Sequence, residues 1–327
     1  MLTQLGSDIP SKVPVLIAGW PGMGQVGVGA ADYLRRKLGA RLVARIDAAD
    51  PGAPDGIVVK DGLGAFPEPP VQLVYLVEEP ALFLFQAEAQ VGGDAGSTVA
   101  GALLDFATLH GAERVYTGAA YAMPVSYRHP TQVFGVATDD ATRAQFAGLH
   151  VEPLAEGRIT GLNGVLLGLA RQRGLSAACF LATMPQYAVE TAHPRASKAV
   201  LRVFERILGT TVDMAEIDVS IRESEKMLGE FEDRVSEAVR SLHVPSGRPE
   251  PDEEHEPREG GETEGEERPE PHVLMERIER LFEAAQADRS EAMRLKGELD
   301  RWGLFGLYED RFLDLFERPA APPPADR

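Results

Sequence analysis

The sequence has a single cysteine in 327 residues, Cys179, so no disulfide can form within the chain. Its setting in Ala177-Ala-Cys-Phe-Leu-Ala182, an apolar strand pattern, points to a buried core thiol and away from a nucleophile. No apolar run approaches the roughly eighteen residues that a transmembrane helix needs. No charged leader precedes an apolar run either, so no secretory signal is expected and the chain reads as cytoplasmic. Lys and Arg total 33 against 51 acids and form no cluster. Phosphate contacts need clustered cations, so neither a nucleic-acid nor a membrane partner is expected. The seven histidines, at 110, 129, 150, 193, 243, 255 and 272, show neither H-x-H nor H-E-x-x-H spacing, and G-x-S-x-G does not occur. His129 and His193 fall in loops where Tyr121 or Tyr187 could join them, but a lone loop histidine is more often solvated than catalytic. No catalytic residue, cofactor or metal is assigned.

What is present is enough apolar material, 44% of residues, for a full core in one large domain or two unequal ones. The chain is organised around Val15-Leu-Ile-Ala-Gly-Trp-Pro-Gly-Met-Gly-Gln-Val-Gly27, where an apolar run breaks into a glycine-rich turn and an amphipathic segment follows to Leu38. This reads as strand, loop, helix. Pro21 cannot donate to a sheet ladder, and Gly19, Gly22 and Gly24 allow the backbone to turn and approach a neighbour. Gly27 and Gly29 then fall inside the helix at about 1 kcal/mol each against Ala, which close packing or a ligand would explain. Gly22-Met-Gly24-Gln-Val-Gly27 fits G-x-G-x-x-G, and Asp47 lies twenty residues further on, as in a dinucleotide fingerprint. A Rossmann half needs a helix after its second strand, whereas Pro51, Gly52, Pro54 and Gly56 are followed by strand-like runs and no helix before Ser97. NAD is therefore not expected. Gly19 and Gly24 have P-loop spacing, yet Gln25 and Val26 stand where Lys and Ser or Thr should be.

Further along, 91–96 reads as a loop, 97–109 as a helix and 114–117 as a strand. Residues 118–131 then read as a long loop with Tyr121, Met123, Tyr127 and His129, a second candidate site element. A strand over 133–137 leads to a helix capped by Asp139 and Asp140 and running to about Leu149. Gly157-Arg-Ile-Thr-Gly-Leu-Asn-Gly164 opens a helix over 162–172, whose free N–H groups either hold an anion or bond to loop carbonyls. The strand over 177–182 ends in Thr183-Met-Pro-Gln-Tyr187, at the carboxyl end where open α/β sheets place ligands. Helices over 194–208 and 216–243 follow, the second with a stripe of Ile217, Ile221, Leu228, Phe231, Val235, Val239 and Leu242 that needs a partner. Residues 250–270 carry eleven acids and two arginines, half of the chain's net −18, in a proline- and glycine-bearing stretch that cannot fold. Domains are thus expected at 1–243, with a disordered linker over 244–271, a helical module over 272–317, and a disordered tail over 318–327. The module reads as helical over 273–299 and again over 304–316. Leu281, Phe282, Phe305, Tyr308, Phe312 and Phe316 are its expected docking residues, on its own body or on a partner.

Gly19-Trp-Pro-Gly-Met-Gly-Gln-Val-Gly27 resembles the signature of the proteasome assembly chaperone 2 family, which has Gly, an aromatic, Pro-Gly-Met-Gly, a polar residue and Val-Gly. Asp61-Gly62, Gly157-Arg-Ile-Thr-Gly-Leu-Asn-Gly-Val-Leu-Leu-Gly-Leu-Ala170, and Pro185 with Tyr187 match further blocks in order, covering about 11–240. Glu88-Ala-Gln-Val91 departs from the pattern, where Gln-Pro is expected. The resemblance implies a mixed-sheet three-layer α/β sandwich similar to the nucleoside phosphorylase fold, assembling into trimers or larger rings. It also implies a non-catalytic chaperone or adaptor role on the proteasome or another protein complex. Some relatives dock through a C-terminal hydrophobic-Tyr-x tail; this chain ends Ala325-Asp-Arg327, so that mode is not expected. The resulting expectation is a homo-oligomer in which Gly19, Trp20, Pro21, Gly22, Met23, Gly24, Tyr121, Pro185 and Tyr187 line one cleft, the C-terminal module serving assembly or capture. The alternative is a nucleoside- or nucleotide-binding enzyme using the same cleft, with Glu88 as ribose acceptor.

Overall fold

Short apolar and β-branched runs supply the strands, and segments of 3.6-residue periodicity supply the helices that cover them. The computed structural model describes residues 2–6, 8–47, 57–66, 68–241 and 270–317. The expected linker, but for Glu270 and Pro271, lies outside the described residues, as do the tail, Leu242, and the Pro and Gly residues at 51–56. In chain order the elements are β1 (Leu2–Gln4), β2 (Val15–Gly19), α1 (Val26–Lys37), β3 (Arg41–Ile46), β4 (Val58–Lys60), β5 (Leu63–Ala65), β6 (Gln72–Val77), β7 (Leu82–Ala87), α2 (Gly93–Leu109), β8 (Arg114–Met123) and β9 (Val133–Ala137). Then come α3 (Asp140–Ala144), α4 (Phe146–Leu149), β10 (Glu152–Pro153), α5 (Leu162–Gln172), β11 (Ser176–Pro185), α6 (Pro194–Leu208), α7 (Ala215–Ser241), α8 (Pro271–Ala287), α9 (Ala292–Arg301) and α10 (Phe305–Glu317).

The described chain divides into two compact units, one of residues 1–123 and 128–225, the other of 124–127 and 226–327. In the first, nine strands form a mixed sheet in the order β1-β3-β6-β7-β2-β8-β11-β9-β10, with β4 and β5 a separate hairpin. Strands β7, β2, β8 and β11 run parallel, while β6 and β9 flank them antiparallel. Helices α1 and α6 pack on one face, α2 and α5 on the other. Buried on both faces, the central strands read as near-continuous apolar runs, as parallel strands do; all five residues of β2 are buried. Leu16, Ala18, Val115, Cys179 and Leu181 join Leu103, Phe106, Leu166 and Ala170 in a core under α2 and α5. Strand β3 is separated from β2 by β7 and β6. Asp47 therefore ends a strand remote from the glycine turn, and the two do not form a Rossmann half.

Three sequence expectations are corrected. The loop expected over 118–131 is strand as far as Met123, because β8 pairs residue for residue with β11 from Ser176 opposite Arg114 to Pro185 opposite Met123. Gly118-Ala-Ala carries no strand propensity of its own; the ladder decides its conformation. Helix α2 begins at Gly93, inside the expected loop, with Asp94 in its first turn where the helix dipole favours an acid. The continuous helix expected over 273–299 breaks at Asp288, whose carboxylate accepts the Ser290 N–H at 2.9 Å and starts a new turn. In the second unit, α8, α9 and α10 accompany the latter half of α7.

Candidate functional site

The site begins where β2 stops. A Cβ on Gly19 would lie 2.8 Å from the Gly27 carbonyl oxygen, and one on Gly27 would lie 2.1 Å from that of Gly118, so both glycines are required by backbone contact between turn, α1 and β8. Between them Trp20 is fully buried, its ring 4.5 Å from that of Phe85. Its backbone is held by a buried amide: the Trp20 N–H donates to Asn163 Oδ1 at 3.0 Å and the Trp20 carbonyl accepts from Asn163 Nδ2 at 3.2 Å. Thr117 Oγ1 in turn donates to the Asn163 carbonyl at 3.1 Å. Gln90 makes the second clamp, Nε2 donating to the Pro21 carbonyl at 2.6 Å and Oε1 accepting the Leu162 N–H at 3.0 Å. The first free N–H of α5 is thereby used by a side chain.

Gly24 has φ of +60°, the left-handed region, and is pinned from the other side. Its N–H donates to the Val189 carbonyl and its carbonyl accepts the His193 N–H, both at 2.8 Å. Met184 lies beneath it, Sδ 2.6 Å from where a Cβ would stand. His193 is 4% exposed and its Nδ1 accepts the Ala196 N–H at 3.2 Å, capping α6. Burial, reinforced by the Arg195 guanidinium, lowers its pKa to about 4, so at neutral pH it is an uncharged cap. The Cys179 thiol is fully buried and pushed up to about 12, as a core thiol should be.

These contacts shape a cleft of about 470 Å³ at the carboxyl ends of β2 and β8. Trp20, Gly22 and Met23 form one wall, 119–122 of β8 with Tyr121 a second, and 158–161 a third, with Asn163 and Leu181 at its floor. Met23 is 45% and Tyr121 37% exposed, and Tyr121 meets Phe134 edge-on at 5.5 Å. Among the described residues that line the cleft, Arg158 is the one cation. Of the expected cleft residues, Trp20, Gly22, Met23 and Tyr121 come together, while Gly19, Pro21 and Gly24 set the turn's path. Pro185 is buried at the end of β11 and Tyr187 half-buried in the following 3₁₀ turn, and neither is part of the wall. Glu88 is exposed and its carboxylate accepts the Val71 N–H at 3.0 Å, outside the cleft. Sequence reasoning missed Gln90 and Asn163 as site residues. The signal for Asn163 was an amide within a run of glycines and leucines; for Gln90 it was a departure from the family pattern.

In the second unit Phe282, Tyr308 and Phe312 are buried, with Tyr308 at 5.8 Å from both Phe231 and Phe282. These three expected docking residues are the unit's interior. Arg311 donates two 2.6 Å bonds to Glu279, itself 3% exposed, and lies over the Phe282 ring at 4.3 Å. Leu281 lines a groove with Arg277, Arg280 and Arg294, Phe305 is half-buried, and Phe316 is 51% exposed.

Among the described residues no cluster of His, Cys, Asp and Glu is arranged to hold a metal, and no helix is long and apolar enough to cross a membrane. The family model described as the PAC2 family matches residues 16–232. No curated protein matches the chain in sequence. Among solved structures, the chain is similar to Pyrococcus furiosus PbaB, described as an archaeal proteasome activator, at 24% identity and a TM-score of 0.60, covering 71% of this chain and 98% of that one. It is similar to the Mycobacterium tuberculosis proteasome-assembly chaperone homologue Rv2125 at 21% identity and 0.55, covering 72% and 97%. A PAC2 family protein from Streptomyces avermitilis matches at 22% and 0.55, covering 67% and 96%.

Proposed function

Since the chain belongs to the PAC2 family, by a match that spans nearly the whole α/β unit, we propose that it is a homo-oligomeric, non-catalytic binding protein of the cytoplasm, a chaperone or adaptor acting on the proteasome. The observation that carries this reading is the make-up of the cleft, lined by exposed Met23 and Tyr121, small and apolar residues, the neutral polar groups of Gln90, Thr160 and Asn163, and an arginine. General acid–base work needs a pair of groups with separated pKa values near the reacting atoms, and the wall offers a phenol and a guanidinium. Apolar side chains with one cation at the edge instead match the anchor pockets of protein interfaces. The names of the structural relatives, a proteasome activator and an assembly-chaperone homologue, support the proteasome as partner. A trimer is the favoured assembly, and Leu281, Phe305 and Phe316 are the outward residues of the C-terminal unit available for capture. The test is to mix the purified chain with proteasome α-subunits and assembled 20S particles from its own cell, and follow co-migration and assembly rate. Co-migration, weakened by Phe316→Ala, is expected. If the wild-type chain binds neither species more tightly than about 100 μM, roughly −5.5 kcal/mol, the reading fails.

A further inference from the structure

Hairpin β4–β5 pairs Val58 with Ala65, Val59 with Gly64 and Lys60 with Leu63. Asp61 and Gly62 close it at φ of +51° and +79°, the Asp-Gly chemistry of a tight two-residue turn. Paired residues of an antiparallel ladder share a face, so Val58 and Leu63 stand on one side and Val59 on the other. Ile57 joins Val59, since its Cδ1 lies 2.7 Å from where Gly64 would carry a Cβ. Ile57, Val58, Val59, Leu63 and Phe66 are 57–76% exposed. A hairpin lying on its own protein shows one apolar and one polar face; this one carries exposed apolar side chains on both, with Lys60 beside Val58 and Leu63. Two strands alone are marginally stable in water, and contiguous exposed apolar surface marks an interface.

The same chain carries a concave counterpart. The cleft presents Met23, Tyr121, Ile159 and Leu181 in about 470 Å³, and Arg158 on its wall is opposite in sign to Asp61 at the hairpin tip. We propose that the tip of β4–β5 from one copy inserts into the cleft of a second copy, Asp61 facing Arg158. A protrusion on one copy filling a recess on the next is a heterologous contact, which repeats head to tail and gives a ring when its rotation closes. This rests on the self-assembling reading above and names the surfaces that carry it.

Mixing tests it. Leu63→Asp spoils the hairpin and leaves the cleft; Met23→Glu spoils the cleft and leaves the hairpin. Both positions are exposed, so thermal unfolding should stay close to wild type. By light scattering the wild type should be an oligomer, each variant alone should have the mass of one chain, and an equimolar mixture should form a dimer through its one intact joint. Variants that keep the wild-type mass sink the hairpin assignment while leaving self-assembly standing. A mixture that stays monomeric points to hairpin-on-hairpin pairing and also overturns the proposal, and a monomeric wild type overturns both readings. If either variant fails to fold, Leu63→Cys and Tyr121→Cys replace them. Cys179 is fully buried, so under oxidation a disulfide-linked dimer should appear in the mixture of these two and in neither alone; its absence is the contrary result.

Discussion

Gly27 and Gly168 are both helical glycines, yet opposite outcomes are expected on replacing them by alanine. A methyl at Gly27 meets the Gly118 carbonyl, backbone that cannot move aside without parting α1 from β8, whereas a methyl at Gly168 would point into open space. Gly27→Ala should cost about 3 kcal/mol in urea unfolding, the range of an overpacked core; Gly168→Ala should gain up to about 1 kcal/mol through helix propensity and a stiffer unfolded chain. Sequence showed that Gly27 needed a reason, packing or ligand, and the contact with Gly118 supplies packing. His193 is the other informative residue. Its unfolded pKa is 6.5 and its folded value about 4, so as pH falls through that window the unfolded chain takes up the proton first. Stability should be intact above pH 6.5 and decline toward pH 4, by up to about 3 kcal/mol from this group. His193→Asn keeps an acceptor at the α6 cap and removes the titration, so its unfolding free energy should drop less than wild type between pH 7 and 4.5. An equal drop would place the acid sensitivity elsewhere.

Elements were legible where one signal dominated. Helices α5 and α6 match their expected ranges because glycines or a proline mark their starts and a 3.6-residue stripe runs through each. Strand β8 was half missed because Gly118, Ala119 and Ala120 speak for no element, and their partner strand lies some sixty residues away in sequence. The same non-locality hid the site's clamps, since Gln90 and Asn163 act on Pro21 and Trp20. In the second unit, part of the aromatic pattern that suggested docking packs inside, where Tyr308 of α10 meets Phe282 of α8 and Phe231 of α7. The Glu279–Arg311 pair joining α8 and α10 is almost sealed from water on the carboxylate side, where desolvation weighs against the charge. Arg311→Ala should remove the two-bond partner of a buried carboxylate and cost about 3–5 kcal/mol, while Glu279→Leu with Arg311→Met should recover most of it. Should the single variant be as stable as wild type, the pair is a bystander in that packing.

At the scale of the whole molecule, composition marks a boundary near residue 243, where acids replace the apolar stripe, but compactness divides the chain at 225 within α7. No sequence signal could mark the second division. The stripe of Ile217, Ile221 and Leu228 continues unbroken into Val235 and Val239, because a helix keeps its period whichever neighbours its successive turns meet. Glu232 accepts from Ser126 Oγ and from the Tyr127 N–H at 2.9 and 3.1 Å, which explains why 124–127 belong with the later half of α7. Two units with separate interiors should unfold as two events, since cooperativity follows the packed core and not the covalent chain. Scanning calorimetry of the full protein should therefore resolve two transitions, and a chain ended after Glu225 should retain one of them at nearly unchanged temperature. The proposed hairpin and cleft both lie in the first unit, so that shortened chain should also keep the subunit number of the full one. A single transition in the intact protein, together with a shortened chain that aggregates, would mean that the helical unit is part of the same cooperative core. A shortened chain that melts normally but runs as a monomer would place the assembly contact in residues 226–327.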